Sequence, residues 1–329
     1  MNRKKKAALR GTGSSLPARV VTNDEFVDTI DTSDEWIRTR TGIRERRFAE
    51  DKDTSASLGI SAAEKALSKA LMPADELDLI VCATVTPDMM TPANACSIQA
   101  ALGCRQIPAF DISAACTGFL YAMSVADQFI RSGQARNVLI VGTEVLSRAM
   151  DLTDRNTCIL FGDGAGAAVL SASHNEAEGI HLVRLYSDGT HRNQSLIQVP
   201  SKVTTASVTG EKPLEFVRMN GREVFRFAVC RMIELIEEAA LECQRNGRKI
   251  DLLIPHQVNQ RIIDSALEST DFPADKVMVN LDRYGNTSAA SVPIALDEAL
   301  ETGRAKKGDT VLLVAFGGGL TWGSAIVTL

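Results

Sequence analysis

Apolar and polar positions along the chain follow the periods of strands and helices in turn. Short apolar runs bounded by turn residues predict buried strands at 7–16, 77–84, 108–112, 138–142, 168–170, 251–255, 310–316 and 322–328. Apolar residues spaced three and four apart predict helices at 54–71, 116–132, 221–244, 259–268 and 288–300. Strands that alternate with helices predict an α/β protein with parallel strands.

Three further segments complete this pattern. Thr32 is predicted as the N-cap of a short helix, in a capping box with Glu35. Met90-Thr91-Pro92 is predicted to open a helix that runs to Leu102. The polar region 179–210, rich in Ser and Thr, is predicted to be loop or hairpin.

Two strand sequences recur at one offset of 173 residues: 78–81 resembles 251–254, and 138–141 resembles 311–314. Two matches at one offset indicate a duplicated half. We therefore predict an N-terminal half at 1–175, which carries Cys116, and a C-terminal half at 176–329, which carries His256 and Asn286. The same offset places 113–116 on 286–289. If the halves pack about a pseudo-twofold axis, Asn286 faces Cys116.

Cys116 lies where a small-residue turn joins the strand at 108–112 to the helix at 116–132. Free N–H groups and the helix dipole favour a thiolate at such a position. The strand-turn-helix context is that of a nucleophile elbow, with Cys in place of Ser. The alternative is a small buried apolar cysteine, which is the commoner case for a cysteine taken at random. Small neighbours on both sides leave room for a substrate and favour the nucleophile.

Other polar groups suggest a site, although each has a structural alternative. Trp36 and Arg40 share a helix face and could stack on a base and hold a phosphate, or could be a half-buried Trp beside a surface Arg. His256 follows a buried strand, where α/β proteins bind ligands, or is a structural histidine. The 317–319 glycines could donate N–H to an oxyanion or form a tight turn.

Two site classes are not predicted. No carboxylate or second histidine accompanies His256 at metal-ligand spacing, so we predict no metal. The segment 161–167 matches a dinucleotide fingerprint in its letters, but a strand follows it where the fingerprint needs a helix.

Composition narrows the function further. The chain has 329 residues, a net charge of -5 and 5% aromatic residues, which argues against nucleic-acid binding. Seven cysteines without a C-x-x-C pair fit free thiols in a reducing cytoplasm. No apolar run approaches the roughly 18 residues of a membrane span, and the N-terminus lacks a signal-peptide core.

With these residues in hand, the chain resembles the β-ketoacyl-acyl-carrier-protein synthase III family over nearly its whole length. The motifs are DTSDEWI-x-TRTGI at 31–43, the turn around Cys116, FGDGAGAAVL at 161–170, PHQ-x-N-x-R at 255–261, GNTSAAS at 285–291 and AFGGG-x-TWGSA at 315–325. The resemblance implies a thiolase-like α/β fold with five αβαβα layers, in a homodimer.

The resemblance also implies roles for individual residues. Cys116, His256 and Asn286 would be the catalytic triad, and the N–H groups of Cys116 and Gly318 the oxyanion hole. Coenzyme A would be bound by Thr32, Trp36, Arg40, Arg155 and Asn259. The resemblance places Arg261 at the tunnel mouth. Arg222 and Arg226 lie four apart on the 221–244 helix, so Arg226 and Arg261 are predicted to bind the acidic acyl-carrier protein; the alternative is ordinary solvated charges. Thr91 and Phe161 would line the primer pocket. In the family, a Phe at the position of Thr91 closes this pocket on short primers; because Thr91 is smaller, we expect primers longer than acetyl.

The implied reaction is a decarboxylative Claisen condensation. Cys116 takes the acyl group from an acyl-CoA primer, and the enolate of malonyl-acyl-carrier protein then attacks the acyl-Cys. The product is a 3-ketoacyl-acyl-carrier protein, which begins type II fatty-acid synthesis. Coenzyme A thioester is a substrate here, and no cofactor is expected.

Four other functions make different demands on these residues. A thiolase would need a second cysteine in 317–322, which has none. A Cys-His thioester hydrolase would release free acid. A non-catalytic binder of coenzyme A or carrier protein could lack the nucleophile. A related condensing enzyme of specialised ketide metabolism would share the same motifs.

Overall fold

The structure is a computed structural model that describes residues 5–196 and 216–329. Its strands are β1 Lys6–Ser15, β2 Arg19–Thr22, β3 Glu45–Phe48, β4 Leu79–Ala83, β5 Ala109–Ile112, β6 Asn137–Glu144, β7 Gly164–Ser173, β8 Gly179–Ser187, β9 Ser195–Leu196, β10 Arg218–Met219, β11 Leu252–Pro255, β12 Thr310–Gly317 and β13 Thr321–Thr328. Its α-helices are α1 Asp34–Thr41, α2 Ser55–Ala70, α3 Asn94–Ala101, α4 Gly118–Arg131, α5 Gly221–Arg245, α6 Gln260–Glu268, α7 Leu281–Tyr284 and α8 Ser291–Glu301.

Two mixed sheets carry the same pairing pattern. The first has the strand order β1-β7-β6-β4-β5, and the second, read in the matching direction, β8-β13-β12-β11. In both, the first two pairs of neighbouring strands are antiparallel and the third pair is parallel. The predicted parallel strands are present in both sheets. Each sheet also has antiparallel pairs, because β7 and β13 return alongside their predecessors without a helical crossover.

Helices and sheets alternate in five layers. Helices α2 and α3 cover the outer face of the first sheet, and α5 with α6 covers the second. Helices α4 and α8 contact strands of both sheets and form the central layer. The apolar cluster between the sheets includes Phe119, Leu120 and Met123 of α4, and Val292 and Leu296 of α8. Burial of these residues is what holds the two halves together.

The duplicated halves match in backbone conformation as well as in topology. A 3-10 turn at Ala115–Thr117 precedes α4, and an equivalent turn at Ser288–Ala290 precedes α8. Ala115 and Ser288 both lie in the left-handed region, with φ of 47° and 48°. Non-glycine residues occupy that region at a cost of about 1–3 kcal/mol, and such strain clusters at functional sites. The predicted offset of 173 residues thus relates two turns of the same unusual geometry.

The two halves approach each other closely at glycines, which have no side chain. A Cβ placed on Gly142 of β6 would lie 2.4 Å from the carbonyl oxygen of Ala289. A Cβ on Gly166 of β7 would lie 2.7 Å from Cβ of Pro293. Backbone contact across these glycines sets the spacing of the two turns.

The boundary between the halves falls in a short connection. Strand β7 of the first sheet ends at Ser173, and β8 of the second begins at Gly179. The division at 175/176 stays a prediction.

Three local predictions differ from the structure in detail. Within the predicted loop or hairpin at 179–210, segment 179–187 is strand β8 at the edge of the second sheet. A 3-10 turn at Gly189–Gln194 and the short strand β9 follow it, and 197–210 lies outside the described residues. Helix α3 begins at Asn94, because Asp111 caps it by accepting from the N–H groups of Asn94 and Ala95. Helix α1 is capped by Ser33, whose Oγ accepts from the Trp36 N–H, and not by Thr32.

Candidate active site

Cys116 lies in the 3-10 turn, two residues before α4 begins. Burial raises the pKa of its thiol to about 12, with a smaller upward effect from the Glu144 carboxylate. The neighbouring Ser288 hydroxyl acts in the opposite direction and lowers the thiol pKa. The expectation that the helix start would favour a thiolate was wrong, because desolvation outweighs the N–H groups of one turn. The direction of this shift favours the protonated thiol.

His256 follows β11 and is 1% exposed. Its Nδ1 and Ser291 Oγ of α8 are 2.6 Å apart and hydrogen-bonded. Its Nε2 is buried without a hydrogen-bond partner among the residues that the structure describes. Burial lowers the pKa of this imidazole to about 3, so the ring is neutral. The edge of Phe316 packs on it, with ring centroids 5.5 Å apart. A buried unpaired nitrogen is a group that a ligand can satisfy.

Asn286 is held by backbone contacts to the N-terminal half. Its N–H donates to the Leu160 carbonyl at 2.8 Å, and its carbonyl accepts from the Gly162 N–H at 3.0 Å. These bonds place Phe161 directly opposite Asn286 in an isolated β-bridge. Oδ1 of Asn286 accepts from the Ser288 N–H at 2.9 Å, which leaves the amide NH₂ as a donor.

The glycine-rich loop lies against the Cys116 turn. A Cβ on Gly317 would lie 2.6 Å from the backbone nitrogen of Cys116. The hydroxyl of Thr321, just past the loop, bonds to the Thr117 hydroxyl and to the Ala114 carbonyl. Gly318 therefore lies in a loop fastened to the turn that presents Cys116 N–H, as the predicted oxyanion hole requires.

A cavity of about 780 Å³ opens beside these groups. Four of the predicted coenzyme A residues line it: Trp36, Arg40, Arg155 and Asn259. Its wall also includes Arg261 of the predicted carrier-protein surface, and Arg222 and Phe225 of helix α5. Its wall includes Leu160, the partner of Asn286 N–H, and Val258, whose N–H donates to the His256 carbonyl at 3.1 Å. The cavity therefore reaches residues in direct contact with two of the three catalytic candidates.

Aromatic and cationic groups meet at the rim. The guanidinium carbons of Arg155 and Arg40 lie 3.8 Å and 5.2 Å from the Trp36 ring centroid. The guanidinium carbon of Arg261 lies 5.8 Å from the ring centroid of Phe225. Positive charge on aromatic faces is suited to a nucleotide with phosphates.

Four of the predicted binding residues do not line this cavity, and neither do Cys116, His256, Asn286 and Gly318. Thr32 precedes α1, and its Oγ1 is buried without a partner among the described residues. Arg226 is exposed on α5, in a long contact of 3.9 Å with Glu223. Thr91 is exposed beside Met89 and Met90. Phe161 is buried behind Asn286.

Sequence reasoning missed three polar groups near the candidates: Ser291 bonds to His256, Ser288 bonds to Asn286, and Glu144 bonds to Ser288. Both serines belong to the GNTSAAS motif, where their spacing from Asn286 was visible but their partners were not. Glu144 ends an apolar strand, and a carboxylate there was the available signal of a buried polar group.

Known proteins match this chain over nearly its whole length. The family model for 3-oxoacyl-acyl-carrier-protein (ACP) synthase III matches residues 110–189. The model for the C-terminal part of the same family matches residues 242–329. The beta-ketoacyl-(acyl-carrier-protein) synthase III of Xanthomonas campestris pv. campestris is 47% identical over 327 residues, 99% of both chains. The chain belongs to the β-ketoacyl-acyl-carrier-protein synthase III family. It is a condensing acyltransferase of thiolase-like fold, and it acts at the start of fatty-acid synthesis.

Two solved structures agree with this assignment. The crystal structure of 3-oxoacyl-(acyl-carrier-protein) synthase III from Aquifex aeolicus VF5 is 45% identical, covers 98% of this chain and 100% of its own, and superposes with a TM-score of 0.89. The priming β-ketosynthase from the R1128 polyketide pathway is 37% identical, covers 100% and 98%, and has a TM-score of 0.90. The fold is thus shared between enzymes named for two different metabolic uses.

Among the helices of residues 5–196 and 216–329, none is long and apolar enough to cross a bilayer. Nor do these residues contain a cluster of three His, Cys, Asp or Glu side chains placed to hold a metal ion.

Proposed function

We propose that Cys116, His256 and Asn286 carry out a two-stage condensation of an acyl-CoA primer with malonyl-acyl-carrier protein. The observation that carries this proposal is the pair of matching turns, at Ala115–Thr117 and Ser288–Ala290, that meet between the halves. One turn presents a thiol, and the other follows an amide donor. His256 adds a neutral imidazole whose Nε2 has no hydrogen-bond partner in the described part of the chain.

In the first stage, Cys116 Sγ attacks the thioester carbonyl, and coenzyme A leaves with a proton. The N–H groups of Cys116 and Gly318 stabilise the oxyanion. The close approach of Gly317 to Cys116 N supports this role, because a side chain there would separate the loop from the turn.

In the second stage, malonyl-acyl-carrier protein loses CO₂, and its enolate attacks the acyl-Cys. His256 Nε2–H and the Asn286 NH₂ group donate hydrogen bonds to the enolate oxygen. When Ser291 O–H donates to Nδ1, the single proton of the neutral ring resides on Nε2, as this step needs. Neither donor adds negative charge beside the enolate.

The rim of the cavity supports a coenzyme A site. Trp36 offers a ring face, and Arg40 and Arg155 offer guanidinium groups for phosphates. Asn259 lies on the path toward His256. Thr32 lies four residues before Trp36 in the chain. Its buried hydroxyl has no hydrogen-bond partner within 5–196 and 216–329 and is available to the nucleotide.

Carrier-protein docking is proposed at Arg226 and Arg261, beside Arg222 at the cavity. The carrier protein of this family is strongly acidic, and this chain is itself net negative at -5. Docking therefore needs local positive charge, and the exposed side chains of Arg226 and Arg261 supply it.

A cytoplasmic homodimer is proposed, with β5 at its interface. Strand β5 is an edge strand of the first sheet, and its four residues remain partly exposed. Nearby, Met89 and Met90 are 49% and 70% exposed, more than apolar side chains usually are in a monomer. Pairing of β5 with a second copy would satisfy the edge and place Thr91 at the partner's primer pocket, with Phe161 on the pocket's own wall.

The test separates the two stages. Purified enzyme is mixed with acetyl-CoA, and acylation of Cys116 is followed by intact mass and peptide mapping. Asn286→Ala should acylate at the parent rate but decarboxylate malonyl-acyl-carrier protein about 10²-fold more slowly. Decarboxylation at the parent rate would contradict the enolate-binding role of Asn286.

A specialised ketide synthase is the second candidate, favoured by the 37% identity to the R1128 priming enzyme. Both enzymes would make the acyl-Cys, so the acceptor distinguishes them. Turnover with the fatty-acid carrier protein of the same cell supports fatty-acid synthesis. Turnover with only a dedicated polyketide carrier protein would support the alternative.

A further inference from the structure

Glu144 is a buried carboxylate that the proposed reaction does not yet use. It is the last residue of β6 and is 0% exposed. Four of its donors belong to the segment after β4: the hydroxyls of Thr84 and Thr86 and the N–H groups of Val85 and Thr86. The fifth is Ser288 Oγ of the C-terminal half, which donates to Oε1 at 3.1 Å. The N-terminal half thus fixes this carboxylate, which then holds one hydroxyl of the other half.

The 173-residue offset between the two halves pairs Glu144 with Gly317. Strands β6 and β12 are both eight residues long, and these two residues end them. Each residue lies against the turn of the opposite half: a Cβ on Gly317 would lie 2.6 Å from the Cys116 nitrogen, and the Glu144 carboxylate bonds to Ser288. The equivalent position is therefore bare beside the candidate nucleophile and carries a long polar side chain beside the second turn.

Ser288 transmits the position of this carboxylate to Asn286. Its N–H donates to Asn286 Oδ1 at 2.9 Å. The oxygen and nitrogen ends of an Asn side chain have nearly the same shape, so a donor on Oδ1 decides where the NH₂ group lies. Ser288 has a φ of 48°, a strained conformation that persists only where surrounding contacts hold it. The hydroxyl bond to Glu144 is such a contact, because it fastens the side chain of the strained residue to the other half.

We propose that Glu144 is a positioning residue for the second stage, an inference that rests on the proposed role of Asn286. By accepting from the Ser288 hydroxyl, Glu144 keeps the Ser288 N–H on Asn286 Oδ1, and the amide NH₂ stays directed at the enolate oxygen. Glu144 touches no substrate and transfers no proton. The first stage uses the N–H groups of Cys116 and Gly318 and does not depend on this contact.

A second buried carboxylate joins the halves away from the two turns. Asp297 of α8 is 1% exposed and accepts from the hydroxyls of Thr12 and Ser14 of β1, at 2.7 and 2.8 Å. Lys69 of α2 pairs with it at 2.7 Å. Ser14 therefore offers a matched control for Ser288, since each serine donates its hydroxyl to a buried carboxylate of the opposite half.

The experiment measures both stages in Ser288→Ala, which removes the hydroxyl and keeps the N–H. We expect the kcat for decarboxylation of malonyl-acyl-carrier protein, followed by release of CO₂, to fall about 10-fold while KM is unchanged. Acylation of Cys116 by acetyl-CoA, followed by intact mass, should proceed at the parent rate. Ser14→Ala should lower the melting temperature to a similar extent and leave the rates of both stages unchanged.

Double substitutions test whether Ser288 acts through Asn286. In Asn286→Ala no amide remains to be positioned, so the addition of Ser288→Ala should cause no further loss of decarboxylation. Glu144→Ala should slow decarboxylation at least as much as Ser288→Ala does. Glu144→Gln keeps an oxygen that can accept from the Ser288 hydroxyl, and it should recover part of the rate. If Glu144→Ala does not fold, the Ser288 and Asn286 variants still decide the question.

Four results would overturn the positioning role. Ser288→Ala could decarboxylate at the parent rate while Asn286→Ala is slow, which leaves Asn286 as the enolate donor but removes Glu144 from the mechanism. Ser288→Ala could slow both stages equally, or slow decarboxylation further in the Asn286→Ala background, and either result would show that the contact acts independently of Asn286. Decarboxylation by Asn286→Ala at the parent rate would refute the proposed role of Asn286 and the positioning role together.

Discussion

Ser291 Oγ at the start of α8 is hydrogen-bonded to His256 Nδ1 after β11, at 2.6 Å. The contact orients a ring whose other nitrogen has no partner among the described residues. Because a hydroxyl can donate to Nδ1, it can hold the ring proton on Nε2. The imidazole is thus positioned for hydrogen-bond donation by a residue that would not touch the substrate.

Ser291→Ala should therefore weaken the second stage and spare the first. We expect malonyl decarboxylation to fall about 10-fold, since outer contacts of a catalytic ring typically matter by that order, while acylation of Cys116 continues. Stopped-flow release of CO₂ and intact-mass acylation measure the two stages. Equal loss in both, with a lower melting temperature, would show instead that Ser291 only supports the fold. Ser291→Thr keeps the hydroxyl and serves as the matched control.

Arg155→Ala should weaken coenzyme A binding. Its guanidinium lies on Trp36 at 3.8 Å and faces the cavity, so its removal loses a cation–π contact and a phosphate partner. A loss of about 1–2 kcal/mol corresponds to about 5- to 30-fold in the dissociation constant. Calorimetric titration at low and high salt measures it. Arg38→Ala is the control, because Arg38 lies on α1 with Trp36 but pairs with Asp34 and does not line the cavity. Equal weakening in both variants would contradict a specific role.

Arg226→Glu and Arg261→Glu should raise the KM for malonyl-acyl-carrier protein, more at low salt, and leave transfer from acyl-CoA to Cys116 largely intact. The reason is that both side chains are exposed near the cavity and the expected partner is acidic. Arg245→Glu, at the far end of α5, is the matched control and should have little effect. If Arg245→Glu has the same effect, net charge and not a local surface governs docking.

Thr91→Phe should shorten the accepted primer. The parent should acylate from acyl-CoA longer than acetyl, because each buried methylene contributes up to about 0.8 kcal/mol where the pocket has room. Met90, which is flexible and exposed, could fill the same space and keep the pocket short. Acylation rates from acetyl- to dodecanoyl-CoA compare the two. A parent restricted to acetyl-CoA, or an unchanged profile in Thr91→Phe, would contradict the prediction.

Periodicity predicted most of the architecture, because the long strands and helices are strongly patterned. The 173-residue offset located the second turn to the residue, since Ala115 and Ser288 share one backbone conformation. Segment 179–187 was missed because an edge strand with polar residues has weak periodicity. The thiol pKa of Cys116 was missed because desolvation depends on packing that no local pattern records.

Hydrogen bonds between side chains of the two halves were the second feature that the sequence could not predict. Glu144 and Ser288 are 144 residues apart, and their contact exists only because two halves meet. The motifs identified Cys116, His256 and Asn286 as candidates, but not the groups that orient them. Such partners follow from tertiary packing.

The contact of Gly142 with the Ala289 carbonyl has a consequence for how this enzyme can diversify. The spacing between the two turns is fixed by bare backbone at the centre of the molecule, whereas Trp36, Arg222 and Thr91 lie on outer segments. Substitutions at those outer positions can retune which acyl chain or carrier is accepted without altering the distance between the reacting groups. Substitution of Gly142 should do the reverse, impairing every substrate alike while the rim still binds coenzyme A.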